Sequence, residues 1–218
     1  MNDAFINING GEMQTLELFL MVTVISLIPS IIIMMTSFTR IIIVMSFLRN
    51  ALGLQQTPPN TVLVGISLFL TLFIMNPVLT EVNEKAYIPY KNEEISAEEA
   101  LDRFAVPIKT FMLKQTEVNT LEMFADFSGE EISENYEDLP LTIVIPSFIT
   151  SELKRAFIIG FLILLPFVLI DIVVSSTLMS MGMIMLPPAM ISLPFKILLF
   201  ITVNGWELLF STLVRGFN

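Results

Sequence analysis

Long uncharged runs alternate with charged stretches along this chain, and several of the runs have the length a bilayer requires. Leu18 to Thr39 carries no charge, and Leu18–Met35 is almost wholly apolar, close to the roughly 20 residues needed to cross a hydrocarbon core. The residues before it are Asp3, Glu12 and Glu17 rather than basic ones, and no small-residue cleavage site follows, so a membrane segment is expected over a signal peptide. A second uncharged stretch, Asn50–Thr80, opens on the turn-forming Thr57-Pro-Pro-Asn60 and continues as the unbroken run Val62–Met75. Proline is tolerated there because the first helical turn has N–H groups with no intrahelical partner. From Ala156 to Phe195 the only charge is Asp171, and the run divides at Met179-Ser-Met-Gly-Met-Ile-Met-Leu-Pro-Pro188, which predicts a helical hairpin. The last segment, Ile191–Val214, holds Lys196 near its start and Glu207 near its end.

The stretch 81–152 reads differently, as a water-exposed and mainly helical segment. Ser96-Ala-Glu-Glu99 is a capping-box pattern. It precedes Leu101, Phe104, Ala105, Ile108, Phe111 and Met112, which recur near helical spacing. Pro107 is expected to kink or divide that helix. Leu121, Phe124 and Phe127 suggest another short helix stopped by Gly129, while Leu141–Ile149 has the β-branched content of a strand but carries Pro146, which argues against a central one.

These elements give three parts. Residues 1–80 hold hydrophobic segments at about 18–39 and 61–80, with 40–59 between them expected as a cytoplasmic loop because it contains Arg40 and Arg49 and no acid. Residues 81–152 form the acidic segment, expected outside the cytoplasm, and 153–218 a C-terminal hydrophobic hairpin with a Met-rich loop at 179–188. Four crossings would put the termini and the acidic segment outside and the Arg and Met loops inside, although Lys154 and Arg155 then lie against the positive-inside rule. The expected fold class is all-α, a multi-helix membrane protein.

Composition narrows the function. A mean hydropathy of +0.78 over 218 residues does not fit an ordinary soluble globule. Fifteen acids and five bases fall between Glu81 and Asp138, a local balance equal to the formal charge of −10 of the whole protein. There is no Cys and no His, which removes thiol chemistry, the commonest general base and the commonest metal ligand. No metal site, cofactor or catalytic constellation is read from the sequence, and the lack of a basic run argues against nucleic-acid binding.

Two features remain as candidates. Asp171 and Lys196 lie in apolar runs, where a charge costs at least roughly 2.5 to 3.5 kcal/mol on insertion scales, so each should have a partner or face water. They are either a structural ion pair or part of a conduction path. Met179, Met181, Met183 and Met185 alternate rather than repeat at helix-face spacing, and Gly182 with Pro187-Pro188 argues for a loop. Core gap-filling would explain Met by composition alone. A loop of flexible thioethers would instead be a deformable apolar surface, able to close around something of variable shape.

Longer runs carry a resemblance. Met35-Thr-Ser-Phe-Thr-Arg-Ile-Ile-Ile-Val44, Leu48-Arg-Asn-Ala-Leu-Gly53, Pro58-Pro-Asn60, Leu68-Phe-Leu-Thr71, Phe111-Met-Leu-Lys-Gln-Thr116, Thr150-Ser-Glu-Leu-Lys154, Leu178–Pro188, Leu193-Pro-Phe-Lys196 and Gly205-Trp206 resemble the FliP family of type III export-gate proteins. The resemblance covers roughly residues 15 to 215. It implies a core subunit of a gate passing unfolded flagellar proteins across the inner membrane at the flagellar basal body. It further implies a homo-oligomer, with a pentamer expected, joined by FliQ and FliR in a helical, cone-like complex and then by FlhB and FlhA. Phe111, Phe124 and Glu152 fall on or beside family-like segments and are expected as subunit contacts, and the Met loop as the seal; an internal mini-core is the alternative for the two Phe residues. The chain departs from the family in the missing cleavable signal, in Met183-Ile184-Met185 where a Met triplet is common, and in Asn204 where Asp is common. An equivalent subunit of a virulence secretion system, a small-solute transporter and a purely structural scaffold are the competing readings.

Overall fold

A computed structural model describes residues 5–8, 11–130, 136–183 and 185–217. A short antiparallel hairpin, β1 (Phe5–Ile8) and β2 (Gly11–Gln14), pairs Phe5 with Gln14 and leads into nine helices among the described residues. These are α1 (Thr15–Met34), α2 (Phe38–Ala51), α3 (Asn60–Val82), α4 (Ile88–Lys91), α5 (Ala97–Gln115), α6 (Val118–Ser128), α7 (Leu141–Ser180), α8 (Pro188–Thr202) and α9 (Gly205–Arg215). A π-turn, Asn83–Tyr87, joins α3 to α4, so that Asn60–Lys91 runs as one long helical rod. The protein is helical, as the patterning predicts; the N-terminal hairpin is the exception.

Two helical rods, Asn60–Lys91 and Leu141–Ser180, are long and apolar enough to cross a membrane, and two bent pairs raise the number to as many as four among the described residues. One pair joins α1 to α2 through a 68° bend and the other joins α8 to α9 through 61°. The last segment is therefore two helices rather than one. At its elbow Asn204 takes a left-handed φ of 50°, and Gly205 lies so close to the Phe200 ring that an added Cβ would fall 2.2 Å from it. The 40 residues of α7 reach about 60 Å at 1.5 Å per residue, roughly twice a hydrocarbon core of about 30 Å. The division drawn at 152 falls inside this unbroken helix.

The largest correction concerns 40–59. Its first part is not a loop but α2, and α2 is the most enclosed helix of the fold. Ile41, Val44, Met45 and Leu48 are buried at helical spacing, an apolar stripe of the kind that drives a helix into a core. Its C-terminus closes as a Schellman motif: Gly53, at φ 77°, donates to the Asn50 carbonyl and Leu54 to that of Arg49. Only a residue without Cβ adopts that φ without strain. α5 runs through Pro107 without dividing, which leaves a kink as the form of the expected disturbance. Its start is as expected, with the Ser96 Oγ accepting from the Glu99 N–H at 3.2 Å. Leu141–Ile149, with Pro146, is helix and not strand.

Packing is organised in two apolar cores strung along α7. One collects Met75, Ile108, Phe111, Met112, Leu121, Val144 and Phe148 from α3, α5, α6 and the first turns of α7. The other collects Val44, Leu48, Leu63, Ala156, Phe167, Phe200 and Leu213 from α2, α3, α7, α8 and α9. In the second, α2 approaches α7 at Gly160, where a Cβ would lie 2.4 Å from Phe47 Cγ and 2.9 Å from its Cβ. Small residues at such crossings let helices approach closely. Phe47 then turns its ring edge-to-face against Phe157 at 5.3 Å.

Between the two cores lies a polar node. Arg40 of α2 is 2% exposed and Glu152 of α7 is 0% exposed. Both ends of the guanidinium fork meet the carboxylate: Nε donates to Oε2 at 2.8 Å and Nη2 to Oε1. Arg40 also donates to the Gly216 carbonyl at 3.0 Å and to Gln115 Oε1 at 3.1 Å, and its guanidinium carbon lies 3.7 Å over the Phe217 ring. Gln115 in turn accepts from Arg155 at 2.9 Å and donates to the Phe217 carbonyl at 3.1 Å. The fork spends its donors on three residues from three separate parts of the chain, a geometry that a lysine's point charge cannot reproduce.

Gly160→Ala is expected to cost about 1 to 3 kcal/mol through overpacking against Phe47, read as a lower thermal midpoint in detergent. Phe47→Leu should recover part of the loss, and a Gly160→Ala protein as stable as the parent would refute the tight contact. At the polar node, Arg40→Met or Glu152→Gln should each cost roughly 3 to 5 kcal/mol by leaving a buried group without its partner. The double change should cost less than the sum of the two; strict additivity in a double-mutant cycle would show that the residues act separately.

Candidate functional site

The candidate residues separate into an exposed loop, the buried Arg40–Glu152 node and a second charged node in which Lys196 is buried and Asp171 half-exposed. The loop joins α7 to α8. α7 ends in a turn in which the Met181 N–H donates to the Thr177 carbonyl and the Gly182 N–H to that of Met179, with Gly182 at φ 75° reversing the chain. Pro187 then caps α8 and Pro188 begins it. Ile184 lies outside the described residues. The four methionines are exposed: Met179 by 66%, Met181 by 67%, Met183 by 42% and Met185 by 98%. They are therefore not core filler within this chain.

Asp171 and Lys196 meet. Lys196 Nζ donates to Asp171 Oδ2 at 2.6 Å, and the Ser192 hydroxyl donates to Oδ1 at 2.6 Å. Lys196 also donates to the Ala51 carbonyl at 3.1 Å, at the C-terminal end of α2. The last carbonyls of a helix have no intrahelical partner and carry the negative end of its dipole. An ammonium placed there satisfies both needs.

The other predicted residues lie elsewhere. Arg49, near the end of α2, donates to Asn60 Oδ1 at 2.6 Å and so ties α2 to the start of α3. Phe111 is buried between the rings of Phe148, at 6.0 Å, and Phe217, at 6.2 Å. Phe124 is half-buried beside the same core and meets Phe127 edge-to-face at 6.2 Å. Phe111 and Glu152 are enclosed by their own chain, so the expectation that they present themselves to neighbouring subunits gives way to an internal core and a buried ion pair. Phe127, which is exposed, is the aromatic of this group that remains on the surface.

Gln115, Arg155, Ser192 and Phe217 complete the nodes and were not singled out from the sequence. Gln115 had a signal: Ile108, Phe111, Met112 and Gln115 follow one another on a single buried stripe of α5. A polar residue on an apolar stripe must find a partner. Ser192 lies likewise on the buried line of Lys196 and Phe200 in α8. Arg155 and Phe217 carry no comparable local mark. The ionisable side chains of both nodes are engaged in ion pairs and hydrogen bonds, and among the described residues no three acidic side chains gather as a metal-binding group.

Comparison with known proteins fits this architecture. Residues 21–213 match the FliP family. The flagellar biosynthetic protein FliP of Bacillus subtilis is 50% identical over the whole of both chains. That of Aquifex aeolicus is 50% identical over 96% of this chain and 88% of its own. That of Pectobacterium carotovorum is 48% identical over 96% of this chain and 82% of its own. With a family match over nearly its full length and relatives at this level of identity, the chain belongs to the FliP family.

Proposed function

We propose that this chain is a core subunit of the flagellar protein-export gate. Several copies, a pentamer on the family resemblance, surround a passage in the cell inner membrane at the flagellar basal body. FliQ and FliR join them there, FlhB and FlhA are the further partners, and unfolded flagellar proteins are the cargo. The observation that carries this reading is the Met loop at the tip of the α7–α8 hairpin, whose apolar side chains find no cover in their own chain.

A passage wide enough for an unfolded polypeptide would leak ions when idle. Whatever closes it has to seal without holding any one cargo sequence tightly. Methionine is unbranched and rotates about three side-chain bonds, so a ring of thioethers can fill an empty centre and then mould around a passing chain. Hydrophobic constrictions also resist wetting. The length of α7 supports the placement: the 25 helical steps from Arg155 to Ser180 span about 38 Å, so the acidic helical part packed on the first turns of α7 and the loop lie at different levels. On this reading the acidic segment 81–152 stands outside the cytoplasm and the Met loop deeper in the passage.

Deleting Met183 to Met185 should leave the complex assembled while ion leakage rises, measured as conductance of the purified complex in planar bilayers. Replacing the same residues with glycine should act in the same direction. A deletion variant that assembles and stays as tight as the parent would move the seal elsewhere.

A further inference from the structure

Asp171, Ser192, Lys196 and the Ala51 carbonyl are the last place where the α7–α8 hairpin holds on to the rest of the chain. Beyond them, from Ile172 round to Ile191, none of the described residues is buried. On the other side of them the hairpin is embedded, with Phe167 and Phe200 both in the core that α2 anchors. The seat is built by the end of α2. Its Schellman motif satisfies the Arg49 and Asn50 carbonyls from within, through Leu54 and Gly53, and Lys196 takes the carbonyl of Ala51 that follows them. Leu193 packs beside it, with its Cδ1 3.5 Å from where a Cβ on Gly53 would stand.

The chemistry is stronger than a single contact. The ammonium of Lys196 is 6% exposed as a residue and divides its donors between a carboxylate on α7 and a helix end on α2. Ser192, on the buried face of α8, takes the other oxygen of the same carboxylate. Three helices thus meet at one charged point, and moving α8 alone would break the ammonium's contacts to both α7 and α2. Asp171 is nine residues from the end of α7 and Lys196 eight from the start of α8, so the free arm measures about 12 to 14 Å. Small rotations at its base become displacements of several ångströms at the methionines.

We propose that Lys196, with Asp171, Ser192 and the Ala51 carbonyl, is the fulcrum of the hairpin: a positioning clamp that fixes where the Met loop stands and about which the loop swings. The consequence for leakage rests on the gate reading; the mechanical claim does not. The absence of cysteine allows clean labelling. Spin labels at Gln55→Cys, just beyond the α2 seat, and Met190→Cys, on exposed α8, report the distance between the two in assembled complexes where labelled copies are diluted with unlabelled ones.

The parent should give a narrow distance distribution. Lys196→Met should broaden it roughly twofold, because α8 then loses its ties to both the α2 end and α7, and ion leakage through the intact complex should rise with it. Broadening without leakage would keep the fulcrum and count against the gate. An unchanged distribution in assembled Lys196→Met complexes would overturn the fulcrum whatever the leakage. Should that variant fail to assemble, Asp171→Asn retains the Lys196 contact with Ala51 and loses the ion pair; intermediate broadening is expected, and a distribution as narrow as the parent's would overturn the proposal.

Discussion

A buried guanidinium sets the terms of this fold. A guanidinium taken out of water needs enough acceptors in its own plane to replace that water, and the surrounding chain must supply them. Glu152 supplies two oxygens, Gln115 one and the Gly216 carbonyl another, with the Phe217 ring against the guanidinium face. Each of those groups is held by a different element, so meeting the electrostatic demand of one side chain fixes α2, α5, α7 and the segment after α9 relative to one another. Dispersion and burial then fill the two apolar cores on either side. Apolar packing alone tolerates sliding of one helix past another, and a bidentate ion pair between them does not.

The division of labour follows from this. The half of α7 that carries Val144, Phe148 and Glu152 is enclosed by protein, whereas the half beyond Ala156 leaves Phe157, Phe161, Leu162 and Leu169 exposed. One helix passes from a part enclosed by its own chain into a part that is apolar and exposed, within a rod long and apolar enough to cross a membrane. The Met loop lies at the far end of the second half, away from the part whose geometry the ion pair dictates. Burial is concentrated where the acidic segment packs, and exposure where the loop turns.

Much of this was legible in the residues. The hydrophobic runs located α1, α3 and the α7–α8 hairpin, the Ser96 box located the start of α5, and Asp171 and Lys196 announced themselves as charges in apolar runs. α2 was misread because Arg40 and Arg49, in a stretch without acids, matched the signature of a cytoplasmic loop. The periodicity of Ile41, Val44, Met45 and Leu48 pointed the other way and falls beside Arg40 itself. Glu152 was marked for attention but given the wrong surroundings, since a glutamate among Leu141–Phe161 reads equally as a surface anchor or a buried partner until the arginine is placed next to it. Pairings between residues so far apart in sequence leave no local trace. Neither Phe217 nor the Ala51 carbonyl could have been assigned to a charged node from spacing alone.

The positions of Arg40's partners also order the making of the molecule. Gln115, Glu152 and the Gly216 carbonyl follow it by 75, 112 and 176 residues, and loops of that length close late because their entropy cost precedes any reward. While the ribosome is still adding α3 to α6, α2 already carries its arginine without a permanent acceptor, and a charge in that state keeps water or polar headgroups about it. The lasting placement of α2 therefore waits for α7 and the segment after α9. For this chain maturation is an event of the whole polypeptide, not a helix-by-helix accretion.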